Sequence, residues 1–217
     1  MRSSSKALSM SSGLPVGVKY DPSLETDVPS EVYNPSDDSF LLLKVVEVHP
    51  GESFLEIGCG SGLTSAHAAK AGARVTATDI SPHAVEVTRR NAAKNDLRIT
   101  VLESDLFEKV VGNFDIIAFN APYLPEERST TSWIESAWAG GKSGNEVIIR
   151  FLGEAWKHLT PGGRIYLIIS SLGGITSILK AAKEKYVAEL VEEKRMFFES
   201  IFAYRLALKT ISENDSE

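Results

Sequence analysis

Glu56, Asp79, Asp105 and Asn120 recur at the ends of four successive apolar runs, a spacing that brings acidic and amide side chains to one edge of a folded sheet. The first belongs to Phe54-Leu55-Glu56-Ile57-Gly58-Cys59-Gly60-Ser61-Gly62, where glycines at every second position let a backbone turn approach a ligand closely. A helix following such a turn aims its N-terminal amides and positive dipole end into the crevice. Asp79 stands 79 − 58 = 21 residues past Gly58, close to the spacing of about 20 at which a carboxylate meets ribose hydroxyls. Glycine turns also occur where nothing binds, so charge has to narrow the choice. The glycine spacing departs from the G-x-G-x-x-G of dinucleotide enzymes, and a carboxylate at Glu56 repels a pyrophosphate while suiting a cation.

S-adenosylmethionine carries a sulfonium and an ammonium group, and it fits such an acidic crevice better than NAD does. Asp105 is placed to accept from an adenine amino group with Leu106 flanking the ring, although a solvated or helix-capping aspartate would look the same in sequence. The turn Asn120-Ala121-Pro122-Tyr123 suits a planar nitrogen. An amide or exocyclic amino nitrogen delocalises its lone pair into a π system, and it becomes nucleophilic when acceptors pull on its protons. The Asn120 side-chain carbonyl and a backbone carbonyl such as that of Ala121 supply two acceptors, and Tyr123 can stack on the planar group. Methyl transfer is then an in-line displacement governed by alignment and charge complementarity, with no metal required. His49, His67, His83 and His158 show no metal-ligand spacing.

These residues need a scaffold, and the pattern supplies one. Strands are predicted at residues 53–57, 74–78, 99–103, 114–120 and 164–170. Helices are predicted at residues 37–48, 63–71, 82–95 and 144–159, with another from 174 to about 185. The final runs, 188–194 and 200–209, look like a closing hairpin. Alternating β and α units of this kind predict an α/β fold with a mostly parallel sheet covered by helices on both faces. The organisation expected is a flexible leader over residues 1–30, one domain over 31–210 and a polar tail over 211–217.

Composition limits the function classes. With 43% hydrophobic and 24% charged residues, and no apolar run near the roughly 20 residues of a membrane span, no membrane association is expected. A formal charge of −6 tells against gripping nucleic acid by counterion release. Cys59 is the only cysteine, which points to a reducing, cytoplasmic setting.

Taken together, the loop from Glu56 to Gly62, Asp79, Asp105 and the Asn120 turn resemble a class I methyltransferase, with its Rossmann-like seven-stranded sheet and C-terminal antiparallel hairpin. More narrowly the chain is similar to the HemK family of protein-glutamine methyltransferases, in its HemK2 or Mtq2 branch. The stretch Val32-Tyr33-Asn34-Pro35-Ser36-Asp37-Asp38-Ser39-Phe40 and the run Ala137-Trp138-Ala139-Gly140-Gly141 with Gly144 carry that match. The resemblance implies methylation of the glutamine in the Gly-Gly-Gln motif of a class 1 peptide release factor. It implies that Ser39, Glu56, Gly58, Gly60, Asp79, Ile80, Asp105, Leu106 and Asn120 hold S-adenosylmethionine. Asn120, Ala121, Pro122, Tyr123 and Trp138 would hold the substrate, with Asn120, Pro122 and Tyr123 as the catalytic turn. A small zinc-binding activator, Trm112, would pair its strand with the sheet edge. The family turn is usually Asn-Pro-Pro-Tyr; Ala121 keeps the carbonyl but gives up the fixed φ of proline. Three other readings stay open: methylation of an adenine or guanine amino group in RNA or DNA, a noncatalytic cofactor-binding interaction module, and a nicotinamide-dependent oxidoreductase.

Overall fold

Alternation along the strands explains the layering. A computed structural model describes residues 16–122 and 145–209. In β3 (Ser53–Ile57), β6 (Phe114–Asn120) and β7 (Leu159–Ser170), successive side chains point to opposite faces, and both faces are apolar. Phe54, Ile116, Ala118, Tyr166 and Ile168 face one cluster, shared with Leu41, Leu42 and Leu43 of α1 (Asp37–Val45) and Ala68 of α2 (Leu63–Lys70). Leu55, Ile57, Ile117, Phe119, Ile165, Leu167 and Ile169 face the other. There they pack on Ile148, Phe151 and Leu152 of α4 (Glu146–Ala155) and Ile178 and Ala182 of α5 (Ile175–Lys185).

The remaining strands are β4 (Arg74–Asp79), β5 (Ile99–Glu103), β8 (Tyr186–Arg195) and β9 (Ser200–Leu208), with α3 (Pro82–Lys94) between β4 and β5. Ser81 caps α3 by accepting from the Ala84 amide at 3.4 Å, and Pro82 sits where its missing N–H is not needed. The seven strands run in the order β5-β4-β3-β6-β7-β9-β8, parallel from β5 through β7 and antiparallel where β9 enters. The order reverses between β3 and β6, so the carboxyl ends of those strands open a crevice at the switch point.

The structure departs from the sequence expectations in several places, among them the helix expected over 144–159, which ends at Ala155 and gives way to a 3-10 turn over Trp156–His158. The first helix ends at Val45, because Glu47–Val48 form a short strand β2 that pairs with β1 (Val16–Gly17). From there through Asp27 the chain is pinned on the domain: the Asp21 amide donates to His67 Nε2 at 2.9 Å, the Glu25 amide to Asn95 Oδ1 at 2.9 Å, and the Asp27 amide to Asn91 Oδ1 at 3.0 Å. The sequence pattern places these residues in the leader over 1–30. Finally, β7 begins at Leu159 rather than Arg164, with an irregularity opposite Phe114 and Ile116 absorbing the Thr160-Pro161-Gly162-Gly163 segment. Arg164 then anchors this strand, donating to Glu52 at 2.9 Å and to the Glu47 carbonyl at 2.7 Å.

Candidate active site

At the switch point the carboxyl ends of β3, β4, β5 and β6 enclose a cavity of about 330 Å³. Ser39, Glu56, Gly58, Gly60, Asp79, Ile80, Asp105, Leu106, Asn120 and Pro122, drawn from across the sequence, all line it. Ala121 does not; it is buried in the hydrophobic cluster beside Phe119. Tyr123, Trp138 and Gly144 lie outside the described residues.

The turn out of β3 is built on positive φ angles at Gly58, Gly60 and Gly62. At Gly62, with φ +80°, an added Cβ would lie 2.9 Å from Thr88 Cγ2, so the turn and α3 meet with no room for a side chain. Phe119 supplies the floor, 3.5 Å from where a Cβ on Gly58 would sit.

Glu56 is almost wholly buried, and its Oε2 accepts from the Ser65 amide at 2.9 Å and from the Ser65 hydroxyl. Since Gly62 caps α2 without a side chain, Glu56 on the neighbouring strand satisfies an amide of the first helical turn. Burial pushes its carboxyl up to about 7, against the hydrogen bonds from Ser65 and Thr64, and the nearby Asp79 charge pushes the same way. Asp79 accepts from the Gly60 amide and the Ser81 amide, both at 2.9 Å, and burial raises its pKa in spite of them. Two carboxyls of one cavity wall, each disfavoured in its charged form by burial, make a site in which a cation is favoured.

Asp105 is engaged by a residue the sequence reading did not single out. Arg150 of α4 donates to its Oδ2 at 2.9 Å, and both line the cavity. Leu106, next in the chain, adopts φ +47° while buried; Ser104 Oγ holds this bend by donating to the Leu106 carbonyl at 3.2 Å and accepting from the Lys109 amide at 3.0 Å. Ser39 Oγ donates to Asp38 at 3.1 Å and accepts from the Ser36 amide at 3.5 Å; the Tyr33 hydroxyl also donates to Asp38, at 2.9 Å. Residues 33–39 are thereby fixed along the cavity rim. Periodicity could not have found Arg150 or Tyr33, because each acts through a contact with a carboxylate on a different element or turn.

Asn120 closes the arrangement. The residue lines the cavity, and its Oδ1 is buried with no hydrogen-bond partner among the described residues. The register that sets Glu56 opposite Ala118 places Asn120 two residues further along β6, on the same sheet face as Glu56. An orphaned acceptor costs on the order of 1–3 kcal/mol, so one on a residue that lines a cavity is suited to a donor from outside the chain.

A parallel sheet with an antiparallel strand inserted near one edge and a glycine-turned acidic crevice at its switch point define the class I methyltransferase fold. The chain belongs to the methyltransferase small domain family, which matches residues 35–198. It is 45% identical over 147 residues to a Methanocaldococcus jannaschii protein that bears the name "Putative protein N5-glutamine methyltransferase", covering 66% of this chain and 75% of that one. It is 37% identical over 169 residues to the methyltransferase HEMK2 of Mus musculus, covering 71% and 79%. Among solved structures, the fold matches that of E. cuniculi Mtq2 in its complex with Trm112, a complex responsible for methylating the eRF1 translation termination factor. That match has a TM-score of 0.65 at 19% identity and covers 82% of this chain and 99% of that one.

Proposed function

We propose that this protein transfers the methyl group of S-adenosylmethionine to the side-chain amide nitrogen of glutamine in the Gly-Gly-Gln motif of a class 1 peptide release factor. The observation that carries the proposal is the buried Asn120 Oδ1, without a hydrogen-bond partner among the described residues, on a residue that lines an acidic cavity. S-adenosylmethionine supplies an electrophilic methyl on a cationic sulfur. Glu56, Asp79 and the glycine turn suit its charge and ribose, Asp105 and Leu106 suit its adenine, and Ser39 and Ile80 complete the wall. Asn120 Oδ1 then accepts one proton of the incoming carboxamide, which orients the nitrogen and leaves electron density facing the methyl. The Ala121 carbonyl and the rings of Tyr123 and Trp138 are assigned to the second proton and to the faces of the amide. The proton released after transfer goes to solvent.

The relatives' names support glutamine as acceptor, and the likeness to the Mtq2 and Trm112 complex supports a release factor and a small zinc-binding activator. The sheet ends on β5 and β8, so an activator strand has two edges on which to pair. A cytoplasmic setting goes with this substrate; among the described residues no helix is long and apolar enough to cross a membrane. The test is methyl transfer from labelled cofactor to a release factor and to its Gln→Ala variant, with and without a Trm112-like protein. Label on the first and none on the second is expected. Equal labelling of both, or labelling of RNA alone, would overturn the assignment.

A further inference from the structure

The turn between β8 and β9 carries an aromatic pair, Phe197 and Phe198, that the site described above does not use. They are 91% and 87% exposed, with ring centroids 4.6 Å apart at 81°. The strand register shows where they stand. Asn120 pairs with Ile168, Ile168 with Ala203, and Ala203 with Glu192, so one row crosses β6, β7, β9 and β8. Because β9 runs antiparallel, its start lies at the carboxyl end of β7: the Ser171 amide donates to the Ser200 carbonyl at 2.8 Å. The hairpin tip therefore rises from the same end of the sheet as Asn120 and Pro122. Two to three strand spacings separate the two, about 10–15 Å across the sheet, and the tip stands five residues beyond the Asn120 row. Leu172, 49% exposed, stands on the β7–α5 connection between them.

Charges at this rim are matched locally. Arg195 pairs with Glu193 at 2.9 Å and Lys194 with Asp37 at 2.8 Å. What projects is apolar, and among the described residues the cations of the strand leading into the turn, Lys194 and Arg195, are both paired, which leaves little to attract phosphate. Exposed aromatics of this kind are the anchors of protein interfaces.

We propose that the Phe197–Phe198 tip docks an apolar patch on the folded protein substrate while that substrate's acceptor glutamine sits at Asn120. This rests on the glutamine-transfer reading and deepens it: the enzyme recognises a folded surface about 15 Å or more from the reacting nitrogen, farther than the two or three residues on either side of the glutamine reach.

The test compares wild type, the Phe197→Ser/Phe198→Ser double variant, and Val111→Ser, which removes an equally exposed apolar side chain at the opposite end of the sheet. The probes are a class 1 release factor and a short peptide containing Gly-Gly-Gln. Dissociation constants are measured with S-adenosylhomocysteine present, and KM and kcat in turnover. The double variant is expected to weaken release-factor binding and raise its KM at least about tenfold. Its kcat, its cofactor affinity and the peptide's KM are expected to stay at wild-type values, with Val111→Ser unchanged throughout. Equal release-factor affinity in wild type and double variant would overturn the proposal. So would a tip-dependent affinity for RNA in place of protein, or a wild-type dimer that the double variant converts to monomer. Tip-dependent release-factor binding without any turnover would uphold docking and overturn the glutamine-transfer reading instead.

Discussion

Glu56 on β3 and Ser65 on α2 are joined twice, the carboxylate accepting from both the amide and the hydroxyl of the serine inside a site closed to water. The ligand-facing carboxylate is thus also the cap of the helix whose N-terminus faces the cavity. Glu56→Ala is expected to leave the Ser65 amide unpaired and to destabilise the protein by about 1–3 kcal/mol in denaturant unfolding. Glu56→Gln keeps an acceptor there and should recover most of that loss, while weakening cofactor binding because the charge is gone.

The same carboxyl makes cofactor binding pH-dependent. Its pKa in the free protein is raised from an ordinary 4.5 to about 7, so its contribution to folding is fully present below 4.5 and is lost as pH rises through about 7. A cationic ligand favours the ionised form. Affinity for S-adenosylmethionine should therefore strengthen from pH 6 to pH 8, by at most about tenfold per unit, with proton release on binding near neutrality. Calorimetry in two buffers of different ionisation enthalpy reads this; a proton uptake on binding would contradict the sign.

Asn120→Ala removes the unpartnered acceptor without touching the glycine turn. Turnover is expected to fall by about 10² to 10³. Cofactor affinity should stay within about tenfold, or 1.4 kcal/mol. Single-turnover rates with bound cofactor separate the two effects, and wild-type turnover in the variant would remove Asn120 from the mechanism.

Arg150 holds one oxygen of Asp105 and leaves the other to a ligand. With both side chains substantially exposed, Arg150→Ala should weaken cofactor binding only about fivefold or less. Discrimination against an analogue with oxygen in place of the adenine amino group should shrink as the carboxylate loses its fixed orientation, and Arg150→Lys should restore part of it. Competition binding with S-adenosylhomocysteine and its inosine counterpart measures the difference.

Gly62→Ala meets two obstacles, the positive φ and Thr88 at 2.9 Å. The expected loss is about 1–3 kcal/mol in thermal or denaturant unfolding. Adding Thr88→Ala relieves the collision but not the backbone conformation, and it gives up the Thr88 bond to the Gly60 carbonyl, so rescue should be incomplete.

Much of the scaffold was legible because period-two apolar runs and capping residues are local signals. Residues 53–57, 99–103 and 114–120 form strands over those very spans. The pairing of Val16–Gly17 with Glu47–Val48 carries no period in two-residue strands, and the early start of β7 was hidden by Pro161 and two glycines that read as a turn. The site divides the same way. Glycine spacing and the acidic residues ending each strand pointed to one crevice, whereas Arg150 meets Asp105 across 45 residues and Tyr33 reaches Asp38 through its hydroxyl.

Residue order by itself determined that carboxylates, glycines and an asparagine would gather at one end of a parallel sheet, since strand ends follow from where apolar runs stop. Tertiary structure alone decided that Glu56 is buried against a helix, that Asn120 Oδ1 is left without a donor among the described residues, and that Phe197 and Phe198 rise from the same rim. Burial, protonation and satisfaction of hydrogen bonds depend on what surrounds an atom in space, and those neighbours come from strands and helices far apart in the chain.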